Sequence, residues 1–246
     1  MRVLGIDTAT WTASVGVIDG KATLAESSRT IDHGSHATTL LPMIEAVLCA
    51  AGLRLSDLHL LAVSIGPGSF TGLRIGLSVV KGFSLAVGLP IVGVPTLEAF
   101  ARAAGRRSGL VCPVLDARKR EVYGAAFRWN GDSLEQVSEA AVLSPQSFAE
   151  RLSAPCTLIG DGVDVYETIW RARLGDTAEL VPFRNCPPRG ASVAALGAQL
   201  FASRGADDPA RLVPIYLRKS EAELHHGRGR RGVRSPGVEK LTGSGR

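Results

Sequence analysis

The chain has no CxxC pair, no apolar run of bilayer length and, as far as residue 224, no excess of either charge. Its four cysteines, Cys49, Cys112, Cys156 and Cys186, stand far apart, which removes the paired spacing of thiolate metal sites and dithiol redox motifs. No secretory signal is expected, because Met1-Arg2 leads straight into the first strand-like run, and a reducing cytoplasm is the expected compartment. Lys81 interrupts the longest apolar helix and Pro90 follows it, so no membrane-spanning segment of about 20 residues is expected. The net charge of +5 comes entirely from the end of the chain, where Arg228, Arg230, Arg231, Arg234, Lys240 and Arg246 face Glu239 alone. The body carries no global basic signal, and attraction to RNA would have to come from a local patch or from the tail. Also missing are GxxxxGK[ST], HExxH and HxxEH, the spacings of P-loop and zinc-protease sites, and the dinucleotide spacing GxGxxG does not occur before residue 225.

What is present is a dense glycine corner, GPGSFTGLRIG, at residues 66–76. An apolar run of strand length, LLAVSI at 60–65, precedes it, and residues 73–87 can form about four helical turns. A strand-to-helix corner of this kind can turn backbone N–H groups toward an anion. Glycine equally permits positive φ and close packing, and Gly72 and Gly76 lie four apart on one helical face. Both readings are open, with Asp7, Thr8 and Gly68 as candidate cofactor-binding residues under the first.

The coarse order of elements is βββαβαβα over residues 1–104: strands at 3–6, 13–18 and 22–28, a helix at 36–51, the strand at 60–65, the helix at 73–87, a strand at 90–94 and a helix at 97–104. This is the lobe order of the α/β actin, sugar-kinase and Hsp70-ATPase (ASKHA) superfamily, built on RNase H-like lobes. GRRSG at 105–109 makes a boundary, and a second, smaller lobe is expected over 105–224, with strands at 110–115, 121–129, 134–143 and 157–159. Helices are expected at 144–152, 163–173 and 192–202, the last able to pack back on the first lobe. Residues 225–246 are rich in Arg and Gly with few large apolar side chains, a composition expected to stay disordered.

LGIDTAT at 4–10, HATTLLPMI at 36–44, PTLEAFA at 95–101, DARKREVYGAAF at 116–127 and PIYLRKSEAE at 214–223 accompany the glycine corner in order. Together they resemble the TsaB (YeaZ) family over nearly the whole chain. The resemblance implies a non-catalytic subunit of the bacterial machinery that installs threonylcarbamoyladenosine beside the anticodon of tRNAs reading ANN codons. It implies TsaD as heterodimer partner and transferase, TsaE in a ternary complex, homodimerisation when alone, tRNA reached through the complex, and no membrane. No cofactor of its own is expected, while ATP or ADP can enter at the level of the complex.

The residues themselves argue against an independent catalyst. A TsaD-like metal site needs HxxxH, but His33 and His36 are three apart. The first-strand loop reads Asp7-Thr8-Ala9-Thr10, with alanine where a DxGTxT phosphate loop has glycine, and Trp11 follows. Asp7, Asp116 and Asp161 could gather a divalent cation between lobes or serve as turn and capping residues. The alternative function is an ASKHA-type ATPase or kinase acting alone. The two first-lobe helices are apolar on more than one side and so must bury both. The resemblance places a partner interface there, with His36, Leu40, Met43, Ile44, Val47, Gly72, Arg74, Gly76, Val80 and Phe83 as its expected residues, and Gly76 admitting a neighbouring helix.

Overall fold

A computed structural model of the chain describes residues 1–31, 36–152 and 155–218, with His36 and Ala37 described by their backbone only. His33 and the tail from residue 219 lie outside the described residues.

The first lobe is a five-stranded sheet in the order β3-β2-β1-β4-β5. Strands β1 (Arg2–Asp7), β2 (Thr12–Asp19) and β3 (Ala22–Thr30) run antiparallel, and β4 (Leu60–Gly66) and β5 (Ile91–Pro95) extend the sheet in parallel from β1. Gly20, at φ 61°, supplies the left-handed residue of the β2–β3 turn. Helices α1 (His36–Ala50), α2 (Phe70–Val87) and α3 (Thr96–Ala103) complete the lobe.

The second lobe repeats the plan. Strands β6 (Leu110–Asp116), β7 (Val122–Asn130) and β8 (Ser133–Leu143) are antiparallel, and β9 (Cys156–Ile159) and β10 (Ala178–Leu180) add in parallel, giving the order β10-β9-β6-β7-β8. Its helices are α4 (Pro145–Ala149), α5 (Asp161–Val165), α6 (Glu167–Leu174) and α7 (Gly190–Arg204). The α/β two-lobed fold expected from the order of elements is the fold observed.

Each sheet is covered on both faces, which is why its central strands are near-continuous apolar runs. On one face of the first sheet, Leu4, Ile6, Leu61 and Val63 pack with Leu40, Met43, Ile44 and Val47 of α1 and Leu77 and Val80 of α2. On the other, Val3, Leu60, Ala62 and Val92 meet Ala191, Val193, Ala194 and Leu196 of α7. Conversely, Leu97, Phe100 and Ala101 of α3 pack on Val111, Leu115, Ala125 and Phe127 of the second sheet. Each lobe thus sends its last helix to the other's sheet. Glycine makes the α7 crossing close: a Cβ on Gly5 would lie 2.1 Å from the Gly190 carbonyl oxygen, and one on Gly16 2.4 Å from the Ala191 nitrogen.

Three details depart from expectation. Helix α2 begins at Phe70, because Ser69 caps it by accepting from the Gly72 N–H. The helix expected at 163–173 is broken at Tyr166 into α5 and α6. Helix α2 is, by length and composition, long and apolar enough to cross a membrane, with mean hydropathy 1.3 over 18 residues despite Lys81. Its Leu73, Gly76, Leu77 and Val80 are buried, and Leu77 and Val80 pack in the cluster on the first sheet.

Candidate functional site

The glycine corner and the first-strand loop close on each other. Asp7 is buried; the Ser64 hydroxyl donates to its carboxylate at 2.5 Å and the Ala9 N–H at 3.0 Å. Burial raises the Asp7 carboxyl above the usual carboxylate range, partly offset by those two bonds. Thr8 donates its hydroxyl to the Gly72 carbonyl at 2.8 Å, and the Ser69 N–H donates to the Ala9 carbonyl at 2.6 Å. Added Cβ atoms would meet Ala9 O at 2.4 Å from Gly68, Thr8 O at 2.0 Å from Gly72 and Thr8 Oγ1 at 2.4 Å from Gly76. Asp7, Thr8 and Gly68 are therefore brought together, and what joins them is packing of the loop into the corner. Gly76 faces Thr8, where it was expected to face a neighbouring helix.

The equivalent elements of the second lobe carry carboxylates. Asp161 accepts from the Asp116 N–H at 3.0 Å. Burial, with the Asp116 charge adding to it, pushes Asp161 up to about 6. Asp116 in turn accepts from the Arg118 N–H at 2.9 Å and the Tyr166 hydroxyl at 3.0 Å. Burial and that bond to Asp116 raise Tyr166 to about 12. Asp7 is held by Ser64 in the first lobe while Asp116 and Asp161 are engaged in the second, and among the described residues no group of three His, Cys, Asp or Glu side chains is placed to hold a metal. Trp11 reaches from the first lobe to stack on Phe183 of the second, centroids 5.5 Å apart.

Residues 213–218 strap the two lobes. The Ile215 N–H donates to Ile65 O at 2.7 Å, and Ile215 O lies where a Cβ on Gly66 would sit, 2.4 Å away, which only a glycine at φ 123° accommodates. Tyr216 stacks on Phe70 at 4.7 Å and its hydroxyl accepts from Arg74 Nε at 2.9 Å. Arg218 then donates to the Ala117 carbonyl at 2.7 Å and pairs with Glu121 in the second lobe.

The outer surface of α1 and α2 holds a groove. Leu41, Ile44, Leu48 and Cys49 of α1, Phe83 of α2, and Leu53 and Leu55 of the following turn line it with Glu45 and Arg54 at its border, enclosing about 460 Å³. Leu41 is 49% exposed. Of the residues expected at an interface, Ile44 and Phe83 line this groove and Arg74 is exposed beside Tyr216. Leu40, Met43, Val47 and Val80 turn inward to the first sheet, Gly72 and Gly76 meet Thr8, and the side chain of His36 lies outside the described residues. Leu41 and Leu48, a second apolar stripe of this helix in the sequence, line the groove, whereas Cys49, Leu53 and Leu55 were missed.

The family model described as "TsaD: tRNA N6-adenosine threonylcarbamoyltransferase" matches residues 30–225. The tRNA threonylcarbamoyladenosine biosynthesis protein TsaB of Escherichia coli (strain K12) is 34% identical over 235 residues, covering 90% of this chain and 96% of the relative. The protein of the same name from Bacillus subtilis (strain 168) is 28% identical, covering 91% and 96%. The solved structure of YeaZ from Pseudomonas aeruginosa superposes with a TM-score of 0.72 at 27% identity, covering 87% of this chain and all of that one. The ethanolamine utilization protein EutJ from Carboxydothermus hydrogenoformans shares the fold, with a TM-score of 0.52 at 13% identity, over 80% and 90% of the two chains. Matched along nearly its whole length by relatives of one name, the chain belongs to the TsaB (YeaZ) family.

Proposed function

We propose that the chain serves in tRNA threonylcarbamoyladenosine biosynthesis as a non-catalytic subunit that docks on TsaD and supports its transfer of a threonylcarbamoyl group to N6 of the adenosine beside the anticodon. The observation that carries this reading is the apolar groove between α1 and α2. Leu41 and Phe83 leave apolar surface beside Ile44 and Leu48, on a lobe whose inner side chains are already packed. Burying such surface against a second pair of helices stabilises the complex by about 25 cal/mol per Å² of apolar area, before the costs of association. In the absence of TsaD the same groove pairs two copies of the chain, and TsaE joins the assembled pair.

Support for a non-catalytic role comes from the contacts between the lobes. The first-lobe loop is packed into the glycine corner, and Trp11 spans the gap to Phe183. The HxxxH spacing of a transferase metal site is absent from the sequence. ATP or ADP then acts in the complex, held with residues of the partners. Size-exclusion chromatography with the organism's TsaD, with and without ATP, tests the reading. A 1:1 complex, and modification of tRNA only when both proteins are present, is expected. Modification by the chain alone, or no complex under either condition, refutes it.

A further inference from the structure

We propose that the surface beside the strap of residues 213–218 contacts RNA, with the basic turn Arg118-Lys119-Arg120 neutralising phosphates and the Phe70–Arg74–Tyr216 stack offering a face for a base. The choice of RNA over an acidic protein rests on the proposed role in tRNA modification.

The turn is the most unusual backbone in the molecule. Arg118, Lys119 and Arg120 follow one another at φ 61°, 53° and 62°, all in the left-handed region that side chains with a Cβ disfavour. Glycine or asparagine would make the same turn more easily. Surrounding contacts hold it from behind: Arg118 N–H to Asp116 at 2.9 Å, Glu121 N–H to Arg118 O at 3.0 Å, Ala117 N–H to Glu121 O at 2.9 Å, and Arg218 on both Ala117 O and Glu121. Disfavoured backbone that its surroundings fix in this way points to use of what it displays. What it displays is three long cations on the exposed side, the Arg118 guanidinium 3.6 Å from the Asp116 carboxylate and able to turn from it to a phosphate.

The strap joins the second part to the first, with Tyr216 on the stack and Arg218 on the residues that flank the turn. Tyr216 and Arg218 are two residues apart on the strap, at most about 7 Å along the chain. Arg74 sits 3.8 Å above the Phe70 ring and 5.8 Å from that of Tyr216, and its Nε is taken by the Tyr216 hydroxyl. Among the described residues no carboxylate pairs with Arg74 or Arg120. A cluster of cations next to an arginine stacked on aromatic rings combines the two contacts RNA uses, charge for the backbone and π-faces for unstacked bases. An acidic protein would use the charge and leave the rings idle.

The test is fluorescence anisotropy of a labelled unmodified tRNA transcript titrated with the full chain at several salt concentrations. The triple variant Arg118→Asn, Lys119→Asn, Arg120→Asn keeps side chains that tolerate the left-handed region, and every variant carries the same tail. It is expected to bind at least about tenfold more weakly, with the logarithmic salt slope reduced by about one to three. Tyr216→Ala is expected to weaken binding severalfold while leaving that slope unchanged. Arg118→Lys with Arg120→Lys keeps the charges and is expected to bind as the native chain does. Circular dichroism melting confirms that each variant is folded. Unchanged tRNA binding by a folded triple variant overturns the proposal, as does loss of TsaD association with tRNA binding intact, which would assign the surface to protein. Inorganic polyphosphate competing equally against native chain and Tyr216→Ala would reduce the site to a polyanion contact and overturn the base-stacking half. A chain that binds tRNA through this surface but never associates with TsaD would instead sink the docking reading and leave this one standing.

Discussion

Thr8 donates its hydroxyl to the carbonyl oxygen of Gly72 across 2.8 Å, and the Thr8 carbonyl lies where a side chain on Gly72 would begin. One contact thus fixes the start of α2 against the end of β1.

Gly72→Ala puts a Cβ 2.0 Å from backbone, so strand and helix must part. A loss of about 1–3 kcal/mol is expected in urea unfolding, the usual cost of overpacking a core. Gly82→Ala is the control: nothing lies within 4 Å of its Cβ, and removing a mid-helix glycine is expected to stabilise by about 0.5–1 kcal/mol. Equal effects of the two would contradict the packing described.

The fold is legible where the signal is local. Alternating and continuous apolar runs mark the longer strands, and Asp19-Gly20 and Asn130-Gly131 mark two hairpins. Strand β10 is only Ala178–Leu180, too short for any periodicity to register. The site is legible in a weaker sense. Helical spacing shows that Leu40, Met43 and Val47 share a face but not what covers it, and the sheet covers it. Gly76 carries a sequence signal for close approach, yet its neighbour, Thr8, is 68 residues away and is set only by the β1–β4 pairing. The strap owes its position to contacts of Ile215, Tyr216 and Arg218 with both lobes, which no local pattern encodes.

Trp11→Ala removes the stack on Phe183, which joins the lobes. A loss of about 1–2 kcal/mol is expected, together with faster amide exchange across residues 183–186. Exchange that rises only in the β1–β2 hairpin would show that Trp11 does not couple the lobes.

Burial holds Asp161 up at about 6, above the ~3.9 of an exposed aspartate. Between those values the folded chain binds the proton more tightly than the unfolded chain, so this group's contribution to stability is fully present below about pH 4 and is lost as pH rises through about 6. Asp161→Asn removes that dependence. The stability difference, native minus variant, should fall by up to about 1.4 kcal/mol per pH unit from about pH 4 to 6 and then level off. A difference flat across that window contradicts the assignment.

Cys49 is exposed on the groove while Cys112, Cys156 and Cys186 are buried. Thiol titration of the native chain is expected to show one fast-reacting cysteine, with the other three reacting only after unfolding. If the groove is the docking face, bound TsaD slows Cys49; modification at the free rate in the complex would place the partner elsewhere.

The most direct test of the docking account is a calorimetric titration of TsaD with the native chain, Leu41→Asp and Leu85→Asp. Leu41 borders the groove, while Leu85, 81% exposed, is absent from its lining. The account predicts affinity at least about tenfold lower for Leu41→Asp and unchanged for Leu85→Asp, since a charge at a buried apolar contact is costly and one in solvent is not. Undiminished binding by a folded Leu41→Asp chain would contradict it.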